Sequence, residues 1–340
     1  MKRIMISLSL ILGLMTGLLQ AQEMSRVATA GAQFLKFGVG ARALALGSAY
    51  VAFENDPFGV YWNPASVASV QGTAFGISRS NYYESIHHNY LGAVFGMTEG
   101  ALGMSVTYMG TDKTEVTTLS SPDGTGTYFD VANMAFGLTY ARNVTNVLKM
   151  GITAKWIRER IYRETANAVA LDFGSVINTG LAGVRLAMSL TNVGQSMQLR
   201  GPDLRVSHDR FPNNPAEANV KADIFTDKWP LPMVYTIGLR TDIIGGDGEN
   251  IASQTQRLTF AFAANDAWDA VLRGNYGLEY EWRNLFSLRL GFLQKYDTAR
   301  FTIGGGLKYQ LGRTLIQLDY AYVNYNYLGN TNHFSLEFYY

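Results

Sequence analysis

Apolar and polar residues alternate along most of this chain of 340 residues. In the last ten residues, Phe334, Leu336, Phe338 and Tyr340 fall on one face, and the residues between them fall on the other. A period of two residues is typical of a β-strand, because successive side chains of a strand point to opposite faces. The C-terminus is therefore predicted to be a strand with one large apolar face.

The same alternation recurs in about fourteen segments, most of them roughly as long as a tilted strand that crosses hydrocarbon. In one of them, Ile316, Leu318 and Tyr320 oppose Gln317 and Asp319. A barrel in a bacterial outer membrane leaves such an apolar face in lipid. The predicted fold class is therefore all-β: a transmembrane antiparallel β-barrel of about fourteen strands over residues 71–340, with a small N-terminal plug, or hatch.

Residues 1–21 have the pattern of a secretory signal peptide. Lys2 and Arg3 precede an apolar stretch from Ile4 to Leu19, and cleavage is expected near Ala21. A retained N-terminal anchor is the alternative, but the apolar stretch is short for a membrane span. The chain is thus expected to be exported to the outer membrane as a multi-pass barrel.

Residues 22–70 do not alternate and are predicted to form the plug. Ala28 to Gly47 is rich in alanine and glycine. Asn63 is placed to cap a short helix that begins at Pro64, since Asn is favoured at the N-cap and Pro at the first helical position. Two interpretations of this segment stay open: a hatch that gates a path through the barrel, or a capped turn that fills it.

Two gaps between the predicted strands are long, Gly110–Asp130 and Gln195–Pro230. Outer-membrane barrels have short periplasmic turns and longer extracellular loops. If the first strand starts on the periplasmic side, both gaps lie outside the cell. The two segments are therefore predicted to be extracellular loops.

Composition and motifs exclude several classes of function. The chain has no cysteine, so disulfides and thiol chemistry are excluded. Its formal charge of +1 becomes −1 without Lys2 and Arg3, which gives no basis for binding nucleic acid. His87 and His88 would point to opposite faces of a strand, and Ser66 lacks a Gly-x-Ser-x-Gly setting. We expect no catalysis, no cofactor and no metal site.

The N-terminal segment carries a pattern that is similar to a known family. The stretch from Phe34 to Ala49, which contains Arg42, is followed by Tyr61-Trp62-Asn63-Pro64-Ala65. This order resembles the start of the PorV/PorQ family of outer-membrane proteins, part of the wider FadL-like group, and the last strand looks similar as well. The resemblance makes Arg42, Trp62, Asn63, Pro64 and Ala65 the candidate residues of the plug.

The resemblance implies two functions. PorV-type barrels belong to the type IX secretion system, so the chain is expected to be a docking or shuttle barrel whose partners are type IX components and secreted cargo. The alternative is a FadL-like passive channel for a hydrophobic small ligand. In either case outer-membrane lipid and the barrel assembly machinery are expected partners.

The C-terminal strand yields the first testable prediction. Phe334, Leu336, Phe338 and Tyr340 are expected to form the signal that the assembly machinery reads. Deleting residues 338–340 should prevent assembly, because the closing strand loses its last lipid-facing aromatic side chains. Heat-modifiable migration on gels reports the folded barrel, and normal folded migration of the truncated chain would contradict the prediction.

Overall fold

The computed structural model describes residues 29–208, 220–246 and 251–340. The predicted signal peptide, residues 1–21, lies outside these ranges. No helix within them is long and apolar enough to cross a membrane.

Fourteen antiparallel strands close into one barrel. Each strand pairs with the next, and the last strand pairs with the first from Ala74 opposite Tyr339 to Asn81 opposite Asn332. This confirms the predicted fold class and strand number. The strands are β1 (Thr73–Asn81), β2 (His87–Met97), β3 (Gly100–Gly110), β4 (Val131–Asn143), β5 (Leu148–Ile161), β6 (Glu164–Asn178), β7 (Arg185–Gly194), β8 (Val234–Ile244), β9 (Gln256–Ala267), β10 (Arg273–Trp282), β11 (Phe286–Gln294), β12 (Phe301–Leu311), β13 (Thr314–Asn324) and β14 (Asn330–Tyr339).

The alternation of the sequence sets the two faces of the wall. On β13, Leu318 points outward and is 50% exposed, whereas the neighbouring Asp319 points into the barrel and is 1% exposed. Phe334 and Tyr340 are likewise exposed on the outside, with Leu336 and Phe338 between them, partly covered. A closed barrel with an apolar exterior is the form in which a sheet spans an outer membrane. The protein is an outer-membrane barrel; the role of its last strand in assembly stays a prediction.

The connections define the two ends of the barrel. Residues 111–130 and 195–233 link strands at the same end, which is therefore the extracellular one. Both predicted loops carry short structure. They contain the paired segments Thr114–Glu115 with Tyr128–Phe129, Met197–Gln198 with Lys228–Trp229 and Arg205–His208 with Val220–Asp223, and the 3-10 turn Pro202–Leu204. A further 3-10 turn, Asn326–Leu328, lies between β13 and β14.

Residues 29–70, called here the N-terminal segment, lie inside the barrel. Gly31 N–H donates to the Pro230 carbonyl at the extracellular end (2.9 Å), and Ser69 Oγ meets Asn143 Oδ1 at the periplasmic end (3.1 Å). The segment thus runs down the lumen. Its elements are a 3-10 turn (Gln33–Lys36), α1 (Ala41–Ala45), α2 (Gly59–Trp62) and a second 3-10 turn (Pro64–Val67). The second 3-10 turn stands where a short helix beginning at Pro64 was predicted.

Pairs of glycines in the wall let the N-terminal segment approach the strands closely. Gly151 and Gly174 are opposite each other on β5 and β6. A Cβ on Gly174 would lie 2.0 Å from Asn63 Oδ1, and one on Gly151 would lie 2.4 Å from the Pro64 carbonyl carbon. Backbone and side chain of the segment therefore occupy the space that any larger wall residue needs.

The glycine contact predicts that a single methyl group displaces the segment. Gly174→Ala should destabilise the barrel by about 1–3 kcal/mol, the usual range for an overpacked site. Gly305→Ala is the matched control, because a Cβ there meets only Ser287 O at 3.4 Å. Urea unfolding in detergent micelles measures both. Equal stability of the two variants would contradict the close approach.

Candidate ligand site in the lumen

Arg42 fixes α1 to the wall. Its Nε donates to Glu279 Oε1 (2.9 Å) and its Nη2 to Glu279 Oε2 (2.7 Å), so the guanidinium binds the β10 carboxylate through two parallel hydrogen bonds. The guanidinium also lies 5.2 Å from the centre of the Phe53 ring. Two-point pairing is the strongest form of an Arg–carboxylate contact, and breaking such a buried pair leaves an uncompensated charge.

The Arg42 pair continues into a buried polar network. Arg289 donates to Glu279 Oε1 and to Asp319 Oδ1, both at 2.6 Å. Asp56 of the N-terminal segment accepts hydrogen bonds from the Tyr50 hydroxyl and from Phe58 N–H. Burial raises the pKa of the Asp56 carboxyl, an effect that Arg42, 3.9 Å away, partly offsets. The network joins the segment to β10, β11 and β13.

Further charged residues on the inner face of the wall also have partners of opposite charge. Arg185 lies 3.3 Å from Glu54, Arg240 lies 3.4 Å from Asp242, and Lys308 lies 2.5 Å from Glu281. These pairs occupy the periplasmic half of the barrel together with the N-terminal segment. Pairing keeps buried charge from being left uncompensated, so this half is built as a packed polar layer.

Asn63, Pro64 and Ala65 hold the lower part of the segment. Asn63 Oδ1 accepts from Ala65 N–H (3.0 Å), which is the predicted N-cap. Its Nδ2 donates to Val51 O (2.9 Å) and to Ser175 O on β6 (3.1 Å). All three residues are buried, and each hydrogen-bonding group of the amide has a partner. The motif therefore joins two parts of the segment to the wall.

Trp62 and Tyr61 hold the upper part of the N-terminal segment in place. The Trp62 indole donates to Val39 O (3.0 Å), and the Tyr61 hydroxyl lies 2.9 Å from both the Leu35 and the Phe37 carbonyl oxygens. Burial raises the pKa of Tyr61, so this hydroxyl stays a neutral donor. The two aromatic side chains thereby fix the path of the segment from Leu35 to Val39, which forms one side of a cavity.

A cavity of about 270 Å³ lies above Trp62 in the extracellular half of the lumen. Much of its wall is apolar or aromatic. These parts of the wall come from Phe37, Leu44, Trp62, Tyr82, Leu293, Tyr296, Ala299, Val323 and Tyr325. Burial raises the pKa of Tyr296, and it raises that of Tyr325 to about 12. The phenol groups of both tyrosines are therefore neutral. The cavity is also large enough for a small aromatic molecule, since an engineered apolar cavity of about 150 Å³ holds benzene.

Lys36 and Arg273 are the charged residues that line the cavity. Lys36 is paired with Asp269 (2.9 Å), and the Arg273 guanidinium lies over the Tyr296 ring, 4.5 Å from its centre. A smaller cavity of about 100 Å³ shares Lys36, Trp62 and Arg273 and extends toward β7 and β8. A few polar groups in an apolar cleft are the usual arrangement of a small-molecule site.

The smaller cavity reaches an irregular part of the wall. Between β6 and β7 the register shifts after Leu171, and Asn192 has a left-handed backbone (φ 63°). This is a β-bulge, with one extra residue on β7. Strand β8 pairs with β7 only as far as Thr191, and Asn192 Nδ2 donates instead to Pro232 O (3.0 Å). The pairing of β7 with β8 therefore ends at Thr191, beside the cavity, whereas β6 and β7 pair again beyond the bulge, from Leu171 opposite Val193.

Several cavity residues were not candidates from the sequence. Tyr82, Tyr296 and Tyr325 lie just outside strands, in extracellular turns, where no alternation marks a face. The only sequence feature that marks these three tyrosines is a large aromatic residue in a short connection between strands.

His88 is buried on the inner face and His87 lies on the outer side near Asp112, as expected for adjacent strand residues. Within the described ranges, no cluster of three His, Asp or Glu side chains has the geometry to hold a metal ion.

The fold has solved counterparts among outer-membrane transporters. The chain is similar to the CymD monoaromatic hydrocarbon channel and to the toluene transporter TbuX of Ralstonia pickettii, each at a TM-score of 0.55 and 12% identity. A FadL homologue of Pseudomonas aeruginosa aligns at a TM-score of 0.50 and 9% identity. The alignments cover 88% of this chain and 97% or 98% of the other.

Comparisons by sequence give no match: no protein-family model and no curated protein is similar to the chain. The structural likeness shows that this chain shares the fold of FadL-like outer-membrane barrels. It gives no support to the PorV/PorQ assignment in particular, which rests on the motif of the N-terminal segment alone.

Proposed function

We propose that the protein is a passive channel for small hydrophobic molecules across the outer membrane. The observation that carries this proposal is the cavity above Trp62, which is largely apolar, lies toward the extracellular end and is bounded below by the N-terminal segment. Its volume suits a monoaromatic hydrocarbon. The names of the structural neighbours, a monoaromatic hydrocarbon channel and toluene transporters, support the same class of ligand.

In this proposal the ligand enters between the extracellular loops and rests against Trp62. It does not pass straight down the lumen, because the Arg42–Glu279 network and the segment fill the periplasmic half. It leaves sideways past the smaller cavity, at the point where the bulge at Asn192 adds one residue to β7, between β6 and β8. No catalytic step is part of the proposal.

Blocking the smaller cavity tests this route. Thr236 faces that cavity, whereas the next residue, Ile237, points outward and is 37% exposed. Thr236→Trp should lower toluene uptake by about tenfold or more, equivalent to about 1.4 kcal/mol, because the indole fills the path. Uptake of labelled toluene by whole cells is measured. Ile237→Trp is the control and should leave uptake unchanged; equal uptake by both variants would refute the route.

The type IX docking function is distinguished by the extracellular loops. If the barrel docks secreted proteins, removing the outer hairpin between Arg205 and Asp223 should abolish co-purification of secretion partners. We expect the opposite pattern: no specific partner co-purifies with the intact chain, and trimming the hairpin changes toluene uptake less than twofold, under 0.5 kcal/mol. The docking function would be favoured if a specific partner co-purified with the intact chain but not with the trimmed one, and if neither chain took up toluene.

A further inference from the structure

The extracellular rim carries a cationic patch on its outer, lipid-facing side, separate from the lumen. Arg158 on β5 is exposed and points outward, directly opposite Asn167 on β6. One outward position lower on the same strands are Trp156 (38% exposed) and Val169 (51% exposed), which belong to the apolar belt. Two residues of a strand rise roughly 6.6 Å, so Arg158 lies at the height where lipid headgroups begin.

The loop after β7 extends this outer face and adds two more cations. Arg200 pairs with Thr165 through two backbone hydrogen bonds (2.8 and 2.9 Å), and Gln198 is opposite Lys228. These residues and Asn167 line one open pocket of about 370 Å³. The pocket therefore lies beside Arg158, above the belt, and both Arg200 and Lys228 are exposed in it.

The charge of the patch is not neutralised by the acids around it. The lining of the pocket contains no Asp or Glu. The nearby Arg160 and Arg163 have their own partners, Asp130 and Asp203, and Asp227 is next to Lys228 but outside the lining. Over the described residues, the Arg158 side chain has no hydrogen bond or ion pair. Exposed arginine beside serine, asparagine and glutamine groups matches the chemistry of phosphate recognition.

From this placement we infer that the patch of Arg158, Arg200 and Lys228 binds the phosphate groups of an anionic lipid in the outer leaflet. The acyl chains lie along Trp156 and Val169, and the headgroup occupies the open pocket. Arg158 contacts the phosphate nearest the hydrocarbon, while Arg200 and Lys228 contact the outer part of the headgroup. The lipid would thereby brace the wall near the bulge at Asn192.

The test uses the full-length barrel purified in detergent, with lipid A carrying two phosphates as the probe. The triple variant Arg158→Gln, Arg200→Gln and Lys228→Gln removes the charge of the patch. It should weaken lipid A binding on the order of a hundredfold, because each lost cation lowers the affinity by about fivefold. The matched control changes three periplasmic arginines, Arg142→Gln, Arg283→Gln and Arg313→Gln, and should bind normally. Heat-modifiable migration confirms that both triple variants fold.

Two further probes separate lipid from free anion. Dephosphorylated lipid A should bind the wild-type barrel as weakly as lipid A binds the patch variant, and inorganic phosphate should not compete at millimolar concentration. Native mass spectrometry measures retained lipid. Equal lipid A retention by the two triple variants would overturn the inference, and so would displacement of lipid A by inorganic phosphate, which would indicate a site for free anions.

Discussion

The pairing of Arg42 with Glu279 is the interaction on which the rest of the structure depends. Glu279 is 1% exposed and lies on the inner face of β10, where an unpaired carboxylate would be costly. Arg42 comes from α1, and Arg289 comes from the next strand. The wall therefore needs the N-terminal segment in place to neutralise its own charge, and the segment needs the wall. We expect this mutual requirement to keep the lumen closed.

The anchored segment divides the lumen into two unlike halves. Below Trp62, charged pairs and close-packed backbone fill the space, helped by the glycines at positions 151 and 174. Above it, aromatic side chains of the turns surround free volume. Trp62 thus lies above a polar, packed layer, and the β-bulge of β7 lies at its side. The same anchor thus gives the cavity its floor and directs the proposed route through the wall.

Much of the fold was predictable because it depends on local alternation. Leu318 and Asp319 lie on the faces that their hydropathy predicts, and Asn63 caps the turn at Pro64 as its residue type predicts. The cavity was not predictable. Tyr82 and Tyr325 are far apart in sequence and meet only when the barrel closes, with ring centres 6.2 Å apart. Nor does the sequence say that Arg42 meets Glu279, since any inward acid of the wall was a possible partner.

Ion conductance in planar bilayers tests the anchor most directly. We predict that the wild-type barrel is closed to ions. Arg42→Met should give open-channel currents, because Glu279 and Asp319 then share Arg289 alone and α1 loses its ion pair with β10. Arg283→Met, which changes an arginine whose guanidinium lies 5.0 Å from the Trp282 ring centre at the periplasmic rim, should stay closed. Steady conductance of the wild-type protein, or an Arg42→Met variant as silent as the wild type, would contradict the claim that this ion pair closes the lumen.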